Sequence, residues 1–172
     1  CKYYHMVFTI PHELNALMMH RPQVLYDILF EVSAYTLKVF SNDTKYMGAQ
    51  TGIISILHTW GQQLSYHPHV HSIVSGAGVN SQNQWVLGKK VKYQSLYPIQ
   101  AMRKVYKGRF IYRLKQLYQE KKINLPSSND FEKLLKVLYQ KQWIVYAKQP
   151  FGGPMQVIEY LGRYTHKVAI SS

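Results

Sequence analysis

The 172-residue sequence has a single cysteine, Cys1, and only eight acidic residues. One thiol forms no internal disulfide, so a cross-linked secreted scaffold is excluded and a reducing cytosol is the expected setting. No N-terminal segment combines a charged start, an apolar stretch and a small-residue cleavage site. The longest apolar runs, such as IISIL at 53–57, are far too short to span a bilayer, so a soluble chain without membrane contact is expected. A glycine-rich phosphate loop of the Walker type is absent, and no chemistry driven by a nucleoside triphosphate is expected. The acids are Glu13, Asp27, Glu31, Asp43, Glu120, Asp130, Glu132 and Glu159. Most fall in segments that read as helices or turns, so they do not supply the converging carboxylates of a two-metal nuclease or a DDE-type transposase.

What is abundant is positive charge. Twenty-one Lys and Arg against eight acids give +13 at pH 7, which predicts a polyanionic partner. The basic residues alternate with aromatics from Lys89 to Lys122 and from Lys133 to Lys148, and fifteen tyrosines offer flat faces for unpaired bases. Arg109 and Lys148, one from each stretch, are candidate DNA contacts. The length and the 47% apolar content fit one globular domain over 1–172.

Patterning predicts a strand at 2–10 closed by Pro11, then a helix from Glu13 that is interrupted at Pro22 and resumes over 24–40. Strands at 52–60 and 69–76 form a hairpin across Gly61–Pro68. A short strand pair is expected within 85–91, and helices at 98–120 and 129–141. A strand at 142–148, a turn at 149–154, a helix at 155–164 and one more strand at 167–171 complete the chain. The order implies an α+β fold, a central antiparallel sheet with helices packed on it.

The stretch HPHVH at 67–71 holds three of the eight histidines. Residues two apart on a strand share a face, so His69 and His71 project together. A hairpin pairing Trp60 with His69 would also pair His58 with His71, because antiparallel partners keep a constant sum, and opposed residues share a face. His58, His69 and His71 then converge, with His67 in the loop as a further candidate ligand. Three neutral imidazoles leave a divalent ion's charge uncancelled and sites open, which suits a Lewis acid acting on a phosphate oxygen.

In EYLGRYTHK at 159–167, Tyr160 and Tyr164 lie four apart and stack on one helical face. A tyrosine oxygen can attack a phosphodiester and hold the 5′ end while a 3′-hydroxyl leaves, so the bond is exchanged and can be resealed. Two such phenols allow two ends to be held in turn. Arg163 and Lys167 are placed to hold phosphates beside them.

With FTIPHEL (8–14), LHTWGQQLSYHPHVH (57–71), WIVYAKQPFGGP (143–154) and YLGRYTHKVAIS (160–171), the sequence resembles the two-tyrosine HUH transposases of rolling-circle insertion sequences. The resemblance runs over nearly the whole chain. It implies an RRM-like or ferredoxin-like HUH endonuclease core, His69 and His71 as the metal pair, and Tyr160 and Tyr164 as nucleophiles. It also implies Mg²⁺ or Mn²⁺ as the ion and single-stranded DNA, of transposon ends and target, as substrate. The related conjugative relaxases carry a third metal histidine on the preceding strand, where His58 falls, and other branches of the superfamily use Gln, Glu or Asp, which leaves Gln62 as an alternative third ligand. Family members commonly have a cysteine-rich zinc-binding segment before the first strand, and this sequence, with Cys1 alone, is expected to lack it along with a C-terminal part. A prokaryotic, nucleoid-associated setting follows from the same resemblance.

Three alternatives stand beside this reading. A zinc hydrolase fits three imidazoles, but neither the charge nor the tyrosine pair. A single-strand-binding module of RRM-like fold would bind DNA without a covalent adduct. A replication initiator or relaxase-type nickase would share the chemistry.

The charge yields a first prediction. Affinity for single-stranded DNA falls steeply with salt, with a log–log slope of about −0.7 per phosphate contact. Fluorescence anisotropy from low to physiological salt measures it, and a nearly flat response would contradict an electrostatic groove.

Overall fold

A computed structural model describes residues 1–61, 65–89 and 95–165. Five strands form one antiparallel sheet: β1 (Tyr3–Thr9), β2 (Gln50–Trp60), β3 (Tyr66–Val79), β4 (Trp85–Leu87) and β5 (Val145–Phe151). Their order is β2-β3-β1-β5, with β4 pairing the far end of β3 at Ala77–Val79. A 3₁₀ turn at His12–Leu14 leads into α1 (Asn15–His20) and α2 (Pro22–Asn42). The other helices are α3 (Ile99–Gln119), α4 (Ser128–Gln140) and α5 (Pro154–Thr165). Family resemblance and patterning both predicted this α+β architecture.

Local chemistry accounts for the helix limits. Pro22 occupies the first turn of α2, where its missing N–H costs nothing. Ser127 caps α4, its Oγ accepting from the Asp130 N–H at 3.2 Å. The α2 residues Leu25, Ile28, Leu29, Val32, Leu37 and Phe40 recur at helical spacing and are buried.

Strand periodicity divides the sheet into two faces. Met6 and Phe8 of β1, Val70 and Val74 of β3 and Val145 of β5 join the core with Met102, Tyr106, Phe110 and Leu114 of α3 and the apolar stripe of α2. The neighbouring residues point the other way. On that second face Thr9 pairs with His69 and His69 with His58, while Val7 pairs with His71 and His71 with Ile56. His5 and Ile73 form the next rung. Gly78 lets β2 and β3 approach, since a Cβ there would collide with the Gln50 carbonyl.

Three local expectations are corrected. The hairpin pairs His58 with His69, not Trp60 with His69, so the predicted register is off by two residues. The cause is β3, which starts at Tyr66 rather than His69, so the connection is shorter than Gly61–Pro68 and His67 lies in the strand, not in a loop. Pro68 is tolerated because the β2–β3 register breaks between His58 and Trp60, where a bulge needs no ladder N–H. An even slip preserves the face, and the histidines still meet. β5 likewise runs over Val145–Phe151, three residues later than predicted, and takes in part of the expected turn. The expected strand pair at 85–91 is described only as β4. The strand expected at 167–171 lies outside the described residues.

Trp143, just before β5, is 2% exposed, donates its indole N–H to the Leu138 carbonyl at 3.0 Å and packs on Tyr106 and Phe110. Trp143→Ala is therefore expected to cost about 3–5 kcal/mol, read as a lower midpoint in urea denaturation with an unchanged slope.

Candidate metal and nucleophile site

The second face of the sheet gathers imidazoles. One nitrogen from each of His58, His69 and His71 lies within 4.8 Å of the others. Ring centroids are 4.2 Å apart for His58 and His71, 5.0 Å for His69 and His71, and 5.2 Å for His58 and His69. Metal–nitrogen bonds of about 2.1 Å place such donors roughly 3–4 Å apart, within reach of small side-chain adjustments.

Hydrogen bonds select the donor atoms. His69 Nδ1 lies 2.6 Å from the His67 carbonyl. A carbonyl only accepts, so Nδ1 carries the proton and Nε2 keeps the lone pair. His71 Nδ1 is engaged twice, by His5 Nε2 at 2.7 Å and by the Tyr160 hydroxyl at 2.9 Å. Its Nε2 is left as the ligand atom.

Protonation is suppressed at three of the rings, His5, His69 and His71. Burial, reinforced by the charges of His58, His5, His69 and Lys148, pulls the His71 pKa down to about 2. Burial together with Lys148 and His58 takes His5 to about 4, and burial lowers His69 as well. His69 and His71 are thus neutral at pH 7 with lone pairs available, which is the state a divalent ion requires of its ligands. The donor set fits a metal. Three imidazole nitrogens favour a softer ion such as Zn²⁺, and Mg²⁺ or Mn²⁺ would need oxygen ligands from water or substrate to complete the shell.

The remaining candidates separate by face. Tyr160, in the middle of α5, brings its hydroxyl onto His71 and to 3.4 Å from His5 Nε2. Tyr164 lies on the same helix four positions on. Lys148 pairs with His5 across β5 and β1, so it belongs to the histidine face, where it is exposed. Arg163 is exposed in the last turn of α5. Arg109 is on α3, which packs against the opposite face of the sheet. There it pairs with Glu31 at 3.6 Å and lies over the Tyr35 and Tyr112 rings, so it is not brought together with the histidines. His67 adjoins His69, with ring centroids 5.6 Å apart, but is not in the converging trio. Lys167 and Gln62 lie outside the described residues.

His5 is the residue that sequence reasoning missed. A buried polar ring in the apolar strand YYHMVFT was the available signal. Its neighbour across the sheet could not be known without the β1–β3 register.

Comparison with known proteins follows this geometry. A family model described as "Putative transposase" (Y2_Tnp) matches residues 52–172. The chain is 35% identical to "Putative transposase y4qJ" of Sinorhizobium fredii (strain NBRC 101917 / NGR234), over 99% of this chain and 44% of that protein. It is 28% identical to "Transposase for insertion sequence element IS801" of Pseudomonas savastanoi pv. phaseolicola, over 99% of this chain and 40% of that protein. The chain thus spans less than half the length of these relatives. Its fold is similar to that of the conjugative relaxase TrwC solved with oriT DNA and metal, with a TM-score of 0.51 and 16% identity over 67% of this chain and 44% of that one. TrwC with a 27-mer DNA comprising its recognition hairpin and cleavage site gives 0.50 and 18% over 66% and 44%. No helix among the described residues is long and apolar enough to cross a membrane.

Depressed imidazole pKa values set a sign for stability against pH. An unfolded histidine takes up a proton near its ordinary value of 6.5, whereas folded His71 and His5 resist until about 2 and 4. Acid therefore favours the unfolded chain. Without divalent metal, the melting temperature is expected to fall as pH drops from about 6.5 to 4, and His71→Gln should flatten that slope.

Proposed function

From a chain that belongs to the Y2_Tnp transposase family, we propose a single-strand DNA nicking and rejoining domain of a rolling-circle transposase, working through a 5′-phosphotyrosine. The observation that carries this reading is the Tyr160 hydroxyl, 2.9 Å from Nδ1 of His71. That contact supports the reading, because a phenol oxygen one imidazole away from three histidines that could hold a metal suits phosphodiester exchange at a bound phosphate.

His58, His69 and His71 would hold the divalent ion, Mg²⁺ or Mn²⁺. When bound, it supplies Lewis-acid stabilisation of the charge that builds on the scissile phosphate oxygens. The chain's own groups do the rest. Tyr160 Oη loses its proton and forms a bond to phosphorus, and the bond from phosphorus to the 3′ oxygen breaks. That oxygen takes up a proton and leaves as a 3′-hydroxyl, while the 5′ end stays on the tyrosine. A 3′-hydroxyl from another strand reverses the step and reseals DNA without a nucleoside triphosphate. Lys148, on the histidine face, would draw the phosphate in, and Arg163, with Lys167 further along the sequence, would contact phosphates beside the tyrosines. Tyr164, one turn from Tyr160, is the second nucleophile and allows a second end to be held during one transfer cycle. Transposon ends and target are the substrates, and residues 1–172 act as one catalytic unit.

Incubation with a labelled single-stranded oligonucleotide from the end of the encoding element, followed by a denaturing gel, tests the reading. A divalent-dependent covalent adduct is expected. His69→Ala with His71→Ala should abolish it, and His58→Ala should reduce it severely, while DNA affinity changes less because the basic surface dominates binding. Phenylalanine keeps the ring and removes the oxygen. Tyr160→Phe and Tyr164→Phe singly should retain some nicking, and the double variant none. An adduct mapped to Tyr66 or Tyr146 would remove both from the mechanism. Binding without any adduct would favour the RRM-like binding module.

A further inference from the structure

The sheet spends an irregularity on the site. Along β1 and β5, Lys148 pairs with His5 but Phe151 pairs with Tyr3, so β5 carries one extra residue in between. Pro150 lies in that interval, where no ladder N–H is required of it. Regular alternation from Lys148 would send residue 151 to the helix-covered face. The extra residue returns Phe151 to the histidine face, opposite Tyr3. There its ring stacks on His5, with centroids 5.5 Å apart and planes at 15°. It also meets the Tyr160 ring at 5.4 Å.

His5 stands where these contacts join. It is 4% exposed, bonds through Nε2 to His71 Nδ1 at 2.7 Å and lies 3.4 Å from the Tyr160 hydroxyl. Its ring packs edge-on against Tyr160 with centroids 4.9 Å apart. We propose that His5, braced by Phe151, is a positioning residue that fixes the His71 ring and the Tyr160 phenol relative to each other. This rests on the reading of Tyr160 as nucleophile and His71 as ligand, and goes beyond it by giving the coupling between them to a specific side chain.

The chemistry is that of an outer partner to a metal-ligating histidine. With His71 Nε2 as the ligand atom, Nδ1 holds the proton and donates it to the Nε2 lone pair of His5. The bond fixes the ring's tautomer and rotation. The same His5 edge borders the Tyr160 oxygen, so one side chain sets the distance from ligand to nucleophile. A one-ångström error there is enough to slow bond formation by about two orders of magnitude.

Two substitutions separate hydrogen bonding from packing. His5→Phe keeps a flat ring and removes both nitrogens, whereas His5→Gln keeps a polar acceptor. Two readouts are used: Mn²⁺ affinity of the protein alone, by the electron paramagnetic resonance signal of free Mn²⁺, and the single-turnover rate of adduct formation on the labelled end oligonucleotide. For His5→Phe, both are expected to fall about 10–100-fold, with the oligonucleotide Kd within about twofold of the parent. His5→Gln is expected to recover a substantial part of each. Parental values in His5→Phe would overturn the proposal, and so would equal losses in the two variants, which indicate packing alone. Should His5→Phe fail to fold, His5→Gln decides: a folded His5→Gln that loses more than about 100-fold in both readouts overturns the hydrogen-bonding role. If the parent protein forms no adduct while its Mn²⁺ affinity still drops in His5→Phe, the nicking reading fails and the placement of His71 by His5 stands.

Discussion

The rest of the structure depends on the pairing of β3 with a strand on each side. Because β3 lies between β1 and β2, its stretch from His69 to Val74 is fixed to its faces by two ladders at once. Val70 and Val74 must enter the helix-covered core, so His69, His71 and Ile73 must face away from it. A slip of one residue would bury imidazoles among leucines and expose the valines, at a cost of several kcal/mol for the unpaired polar groups alone. Hydrophobic burial on one face thereby enforces the chemistry on the other. His58 follows from the same constraint through its pairing with His69, and His5 through its place one rung from His71.

Charge accounts for why these imidazoles can be so close. Four rings within contact distance cannot all be protonated in a chain already at +13. No acidic residue is found among the partners that set their pKa values. His5, His69 and His71 are accommodated there by remaining neutral. Neutrality would also leave lone pairs for a cation whose charge stays uncancelled, and on the proposed reading that charge draws in a phosphate. Lys148 adds positive charge at the rim without an acid beside it to cancel the effect.

How much of this was legible in the sequence follows from which interactions are local. Alternation in HVHS and the four-residue spacing of Tyr160 and Tyr164 depend on backbone geometry alone, so the shared faces could be read directly. The convergence of His58 with His69 and His71 could also be read, because an error of two residues in the register preserves the face. The register itself could not. It turned on whether Pro68 ends a strand or sits in a bulge, which is decided by the pairing partner. The same blindness hid His5 and Phe151. Whether residue 151 faces the site depends on one extra residue beside Pro150, and parity counted along the sequence gives the wrong face. Arg109 illustrates the opposite limit, since a basic residue in an aromatic-rich stretch reads as a nucleic-acid contact, while its partners Glu31, Tyr35 and Tyr112 are long-range or shared with α3 packing.

The two halves of the site are held by different means, and this bears on how two tyrosines could share one metal centre. His5, His69 and His71 sit on the central strands β1 and β3, which are paired on both sides, and His58 is held from the edge strand β2 by its pairing with His69. The tyrosines sit on α5, which follows β5 through Gly152 and Gly153 and whose first turn is tied back by the Gly152 N–H bonded to Gln156 Oε1 at 2.6 Å. Val157 is buried, whereas Met155 and Ile158 on the same helix are largely exposed, so α5 rests on the sheet through a narrow strip. A helix so seated is anchored near its start and guided at Tyr160 by aromatic contacts with His5 and Phe151. Residues 160 and 164 are separated by about 6 Å along the helix axis. On the proposed reading, exchanging one phenol for the other calls for a displacement of about one turn at the end of a lightly packed helix, and for no change at all in the strands that hold the ligands.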